Sequence, residues 1–151
     1  MTKVGVISDT HSLVRPEAVE ALRGSDLIIH AGDIGKPAVL DELREIAPLH
    51  VIRGNIDKWA NDLPDTEFLE IDGKFIFVLH SLADLDLDPV AAGIDVVISG
   101  HSHKPAMHRD NGVLYLNPGS AGPRRFTLPI ALAHMTISSD QVNATIVELE
   151  V

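Results

Sequence analysis

The chain has 151 residues, 45% of them apolar, no cysteine, and a formal net charge of −10. That length and apolar content suit a single domain over residues 1–151, able to bury roughly two-thirds of its unfolded surface, and the absence of thiols excludes disulfides and thiolate metal sites. The acidic balance argues against long nucleic acids as partners, because their binding rests on Lys and Arg neutralising phosphates, and the first apolar run is too short for a secretory leader or a membrane span, so a cytoplasmic protein is expected.

In chain order, Val4 to Ser8 reads as a buried strand, Pro16 to Arg23 as a helix with proline in its first turn, and Leu27 to His30 as a second strand. Val39, Leu40, Leu43, Ile46 and Ala47 fall at helical spacing within Pro37 to Ala47, Pro48 stops that helix, and Leu49 to Arg53 resumes as strand. This is the βαβ pattern of a parallel sheet. After the expected exposed loop Trp59 to Pro64 the texture changes. Thr66 to Ile71 and Lys74 to Leu79 flank Asp72-Gly73, the signature of a hairpin with a type I′ turn. Asp88 to Ala92 reads as a short helix and Asp95 to Ser99 as a strand. Ala106 to Arg109 and Val113 to Leu116 read as a second hairpin around Asp110-Asn111-Gly112, and Ile130 to Ile137 with Val142 to Leu149 as a closing antiparallel pair.

Short polar clusters close these hydrophobic runs: Asp9 and His11, Asp33, Asn55, His80, then His101 and His103. His11, Asp33 and Asn55 are each 22 residues apart, about one strand-to-strand crossover. Strand ends converge at the carboxyl edge of an open α/β sheet, so residues remote in sequence would meet there. Carboxylates, imidazoles and one amide suit manganese, zinc, iron or nickel, and seven such side chains are enough for two ions. Alternation along an ending strand is expected to put Asp9 and His11 on the same side. Asp33 has two carboxylate oxygens and is read as a bridge between cations. Gly32-Asp33, Gly54-Asn55 and Gly100-His101 repeat one device, a glycine that lets the backbone approach closely and then a ligand.

The ordered set Asp9-x-His11, Gly32-Asp33, Gly54-Asn55, His80 and Gly100-His101-Ser102-His103, with Asn117-Pro118-Gly119-Ser120 after it, closely resembles the calcineurin-like metallophosphoesterases, in particular their small bacterial and archaeal phosphodiesterase branch. The resemblance runs through residues 4 to 125 in order. It implies an α/β fold, two mixed β-sheets packed as a sandwich with helices on the outer faces. It also implies two divalent ions, manganese first, and no organic cofactor. One ion would be held by Asp9, His11, Asp33 and His103, the other by Asp33, Asn55, His80 and His101, with Asp33, Asn55 and His101 the catalytic positions. The activity implied is hydrolysis of small phosphodiesters through attack by a metal-bridging hydroxide, on a small phosphoester substrate with no membrane partner; homo-oligomers are left open.

Two departures qualify the transfer. Most of these enzymes follow Gly-Asn with a histidine that assists the leaving group, and here Ile56, which cannot donate a proton, stands there. Relatives commonly show His-Gly-His where this chain has His80-Ser81-Leu82. The alternative function is a non-catalytic scaffold of the same fold, like the retromer subunit that resembles these enzymes and works through protein-protein interaction. Among the remaining residues, His30 is a candidate donor near Asp33, while His50, His108 and His134 have no partner cluster. Arg124 and Arg125 read as surface in preference to a phosphate clamp, Asp84, Asp86 and Asp88 as a solvated loop capping the next helix, and Asn117 to Ser120 as a turn supporting the histidine loop.

Overall fold

In the computed structural model, which describes residues 1–151, the first half of the chain folds as its βαβ pattern dictates. Strands β1 (Thr2–Ile7), β2 (Leu27–His30) and β3 (Leu49–Val51) lie parallel and adjacent, linked by helices α1 (Pro16–Leu22) and α2 (Ala38–Arg44). Pro16 sits in the first turn of α1, where the N–H it lacks would have had no helical partner. Helix α2 is shorter than its apolar spacing suggests, because residues 45–47 close it as a turn. The chain then forms the β4 (Thr66–Ile71) and β5 (Lys74–Leu79) hairpin, β6 (Val96–Ile98), the β7 (Ala106–Asp110) and β8 (Val113–Asn117) hairpin, and the β9 (Ala131–Ile137) and β10 (Val142–Glu148) pair. Both residues of Asp72-Gly73 and of Asn111-Gly112 have positive φ, as type I′ turns require.

These strands make two mixed five-stranded sheets, ordered β10-β9-β1-β2-β3 and β4-β5-β6-β8-β7. The sheets pack face to face as the expected sandwich. Sixteen buried residues fill the space between them, Val6, Ile29, Ile76, Ile98, Leu116 and Met135 among them. Removing that apolar surface from water is the main force joining the layers. The helices cover the outer face of the first sheet, where Ala18, Leu22, Val39 and Leu43 meet Ile7, Ile28 and Leu132.

The outer face of the second sheet is covered differently. A 3-10 turn (Leu82–Asp84) and an irregular segment bring Leu85, Leu87 and Ile94 onto Phe77, Val97 and Tyr115. The helix expected over Asp88 to Ala92 does not form. Only one α-type bond closes there, from the Ala92 N–H to the Asp88 carbonyl, and Gly93 at φ 75° reverses the chain at once. Asp88 caps this turn, accepting from Val90 N–H at 3.1 Å. The segment from Trp59 to Pro64 is less free than expected: Ala60 is fully buried, and Trp59 Nε1 donates to the Gly35 carbonyl at 2.7 Å. No helix is long and apolar enough to cross a membrane. The consequence for function is at one edge, where β1, β2, β3, β5 and β6 release the polar clusters from both sheets.

Candidate metal centre

Asp9, His11, Asp33, His80, His101 and His103 converge at that edge. They form two groups, Asp9 with His11 and His103, and Asp33 with His80 and His101, in each of which the donor atoms lie within 4.8 Å of one another. Asp33 Oδ2 stands between the groups, 3.6 Å from His11 Nε2 and 3.3 Å from His80 Nε2. Asp9 Oδ1 is 3.5 Å from His103 Nε2 and 3.9 Å from both His11 Nε2 and His80 Nε2. Two donors bonded to one ion at about 2.1 Å are roughly 3 to 3.5 Å apart, so the spacings suit cations between these atoms.

The local backbone is strained to achieve this. Asp9, His11, Asp33, His101 and His103 all have φ between 44° and 71°, a left-handed region that non-glycine residues rarely occupy and that clusters at functional sites. Asp9 and His11 therefore share a side through two left-handed residues beyond the end of β1, and not through strand alternation as expected. Close approach accounts for the glycines. A Cβ on Gly100 would come within 2.6 Å of Asp9 Oδ2, and one on Gly54 would collide with the Asp33 carboxylate.

The hydrogen bonds leave specific atoms free. His80 Nδ1 bonds the Ala31 carbonyl at 2.7 Å, which puts a proton there and aims Nε2 at the carboxylates, an orientation that metal-binding imidazoles favour. Asp9 Oδ2 accepts from Ser8 Oγ at 2.7 Å and from His101 N–H at 3.0 Å, and Asp33 Oδ1 accepts from Ile56 N–H at 3.2 Å. Asp9 Oδ1, His11 Nε2, His80 Nε2 and His103 Nδ1 are buried with no hydrogen-bond partner. The first three face one another at the centre and would be costly unless a further group satisfies them, whereas His103 turns its Nε2 there, 3.5 Å from Asp9 Oδ1. Divalent cations fit this donor set.

Charge in the ion-free protein follows the same geometry. Burial pushes the Asp9 carboxyl above the usual range, although Ser8, His80 and His103 act against it. Burial also resists ionisation of Asp33, but His80, Ile56 N–H and His11 outweigh it and hold this carboxyl down at about 2. Burial opposes a charged His80, yet the Asp33 and Asp9 carboxylates and the Ala31 carbonyl raise it overall. His103 is lowered, by burial first and by nearby Arg125 and His11, against the pull of Asp9. The Arg125 charge acts on His103 although its side chain is exposed.

Asn55 is exposed in the loop after β3, facing a cavity of about 400 Å³ that His80 also lines. Its side chain makes no hydrogen bond within the chain. Ile56, beside it, is 44% exposed. Asn117 Nδ2 donates to the Gly100 carbonyl at 3.0 Å and Ser120 Oγ donates to the Asp9 carbonyl at 2.9 Å, so the Asn117 to Ser120 turn does brace the ligand loops.

Asp57 escapes the motif reading. It is 1% exposed and its carboxylate accepts from Ile34 N–H at 3.0 Å, Gly35 N–H at 3.1 Å and Gly54 N–H at 2.8 Å, tying the loop that carries Asp33 to the loop that carries Asn55. An acid three residues after Gly54 was the available signal, since such residues often bond the backbone of their own turn. His30 braces the neighbouring pair of loops. It is fully buried, its Nδ1 accepts from Gly32 N–H at 3.0 Å and its Nε2 bonds Thr10 Oγ1 at 3.0 Å, so the ring is neutral and links the Asp9 loop to the Asp33 loop. Burial, opposed by Asp57, lowers its pKa to about 4.

Residues 2–140 match the calcineurin-like phosphoesterase superfamily domain. A probable metallophosphoesterase of Methanothermobacter thermautotrophicus is 34% identical, with 95% of this chain and 91% of that protein covered. Among solved structures, an archaeal phosphodiesterase is 25% identical at a TM-score of 0.78, covering 96% of this chain and 99% of its own. Vps29 of Chaetomium thermophilum has a TM-score of 0.82 at 19% identity, covering 98% and 96% respectively, which is a likeness of fold.

Proposed function

This chain belongs to the calcineurin-like phosphoesterase superfamily, and on that premise we propose that it is a dinuclear metal-dependent phosphodiesterase acting on small phosphodiesters. The observation that carries the reading is the pair of donor clusters joined through Asp33 Oδ2, with Asp9 Oδ1, His11 Nε2 and His80 Nε2 buried and unpartnered. Asp9, His11, Asp33 and His103 would hold one ion, and Asp33, Asn55, His80 and His101 the other. Two divalent ions there supply Lewis acidity toward phosphate oxygens and a water acidic enough to attack phosphorus. Manganese is the ion we assign first, its preference for oxygen donors being met by two carboxylates and one amide beside the four imidazoles.

The chain's own groups do the rest. Asp57 and His30 fix the loops so that the donors are held before any ion or substrate arrives, which keeps reorganisation small at the moment of reaction. His101 is exposed at the rim, where an imidazole N–H can donate to a non-bridging phosphate oxygen. No acid stands at position 56, so esters whose leaving group departs as a stable anion are favoured over those that need protonation. The chain's acidic surface opposes long nucleic acids, which leaves small diesters as substrate.

The Vps29 likeness supports a second reading, a scaffold of the same fold without turnover. One experiment separates the two. The protein is stripped of metal, reloaded with manganese and offered aryl phosphodiesters, aryl phosphomonoesters and alkyl phosphomonoesters. The enzyme reading expects metal-dependent hydrolysis, fastest for the aryl diesters and abolished by chelator. No hydrolysis of any ester by fully loaded protein would favour the scaffold.

A further inference from the structure

Resting on that phosphodiesterase reading, we propose that the cavity beside His101 is a subsite for a planar aromatic group, aryl or nucleobase, carried by the phosphodiester. The cavity measures about 330 Å³, at the small end of the range for ligand pockets and large enough for one ring system. One wall is the Ser81 to Ala83 segment that leaves His80, and another is the His101 to Lys104 segment. It therefore lies beside the Asp33 cluster, in which the His101 ring is 5.2 Å from the His80 ring. His101 belongs to both cavity and cluster, so a group esterified to a phosphate at the cluster is within short reach of the cavity.

Its floor is an aromatic platform. His108 on β7 is paired in register with Tyr115 on β8, and their rings are parallel within 4° at 5.0 Å between centroids. His108 is exposed, which leaves a place for a third planar group to extend the stack. Leu82, 42% exposed at the rim, has found no burial in the core and offers an apolar edge. Lys104 lines the same cavity with no ion-pair partner, and its ammonium suits an aromatic face or a phosphate oxygen. The other cavity at the centre, beside Asn55, is bordered by Asp65, Asp84 and Asp86. Phe77 and Arg53 also line it, but Arg53 is paired with Asp65 at 2.6 Å and the remaining carboxylates repel an anionic substrate, so the aromatic group belongs on the His101 side.

The test is calorimetric titration of the manganese-loaded protein with inorganic phosphate, methylphosphonate, phenylphosphonate and thymidine 5′-monophosphate. At least one aromatic ligand is expected to bind about 5-fold or more tighter than methylphosphonate, the lower end of what base stacking on a side chain contributes. Ala106→Trp, which fills the cavity, should erase that advantage, and His108→Ala should reduce it several-fold, while inorganic phosphate binds both variants as it binds the wild type. An advantage held by phenylphosphonate identifies a directly attached aryl group, and one held by thymidine 5′-monophosphate identifies a base reached through its sugar. Equal affinities for aromatic ligands and methylphosphonate, or an advantage that survives both substitutions, would overturn the subsite while leaving the phosphodiesterase reading in place. If inorganic phosphate and methylphosphonate also failed to bind the loaded protein, the phosphodiesterase reading would fall and the subsite with it.

Discussion

Replacing Asp57 by asparagine should separate the loops that present Asp33 and Asn55 while changing no proposed ligand. The wild-type carboxylate accepts from three backbone N–H groups, that of Ile34 buried and those of Gly35 and Gly54 partly so, and Ile34 N–H reaches both of its oxygens, at 3.0 and 3.1 Å. An amide keeps one acceptor oxygen and turns an NH₂ toward at least one of these donors. Each buried donor left without an acceptor costs about 1–3 kcal/mol, and the charge-assisted bonds lost are among the stronger kind. The expected destabilisation is about 2–4 kcal/mol, a fall in Tm of roughly 5–15 °C for a chain of this size. Urea unfolding of the metal-free protein measures it without interference from ions. Asp65→Asn is the control, because the Asp65 carboxylate pairs with Arg53 at 2.6 Å but is 74% exposed, and no measurable loss is expected there. Manganese affinity should also weaken in Asp57→Asn, since the Asp33 loop loses its brace. A variant as stable as the Asp65→Asn control, with unchanged metal affinity, would refute the bracing role.

Asp33→Asn should lower occupancy of both ions together, as read by elemental analysis after dialysis, because Oδ2 lies between His11 and His80; retention of two ions with near-normal turnover would rule out the bridge. His30 sets a pH dependence. Its folded pKa of about 4 is below the ordinary 6.5, so its contribution is complete above 6.5 and is lost as pH falls through 4. The stability difference between metal-free wild type and His30→Gln should accordingly shrink by about 3 kcal/mol between roughly pH 7 and pH 4, and a constant difference would contradict the neutral buried ring. Comparison with the variant is needed because the raised Asp9 carboxyl works in the opposite sense, gaining stability as pH falls. Ile56→His should raise the rate on an alkyl phosphomonoester a few-fold relative to an activated aryl diester at equal metal occupancy; an unmoved ratio would mean that a missing acid does not set substrate preference.

Much of this was legible in the chain because local rules and tertiary structure agree there. The span of β2 is Leu27 to His30 in both readings, and Asp72-Gly73 makes the turn its φ preferences demand. The glycine before each candidate ligand marks close backbone approach, which Gly54 and Gly100 bear out. Where the reading failed, tertiary geometry decided. Asp88 to Ala92 has helical composition, but Gly93 reverses the chain after one turn, and Leu85 and Leu87 bury themselves on the second sheet without a helix. Asp9 and His11 reach their shared position through left-handed backbone that strand periodicity does not foresee. Asp57 looks like one more loop acid until the Asp33 loop is folded beside it, since two of its three donors come from residues 34 and 35. Likewise, the value of the His108 and Tyr115 pair depends on the register of two strands, which neither residue announces alone.

Turnover of an aryl phosphodiester measured against the number of manganese ions bound per chain, with both determined on the same samples, tests the dinuclear centre most directly. Hydrolysis should be absent from the stripped protein, rise with loading and level off at two ions per chain. Saturation at one ion, or two bound ions with no hydrolysis, would contradict a dinuclear phosphodiesterase.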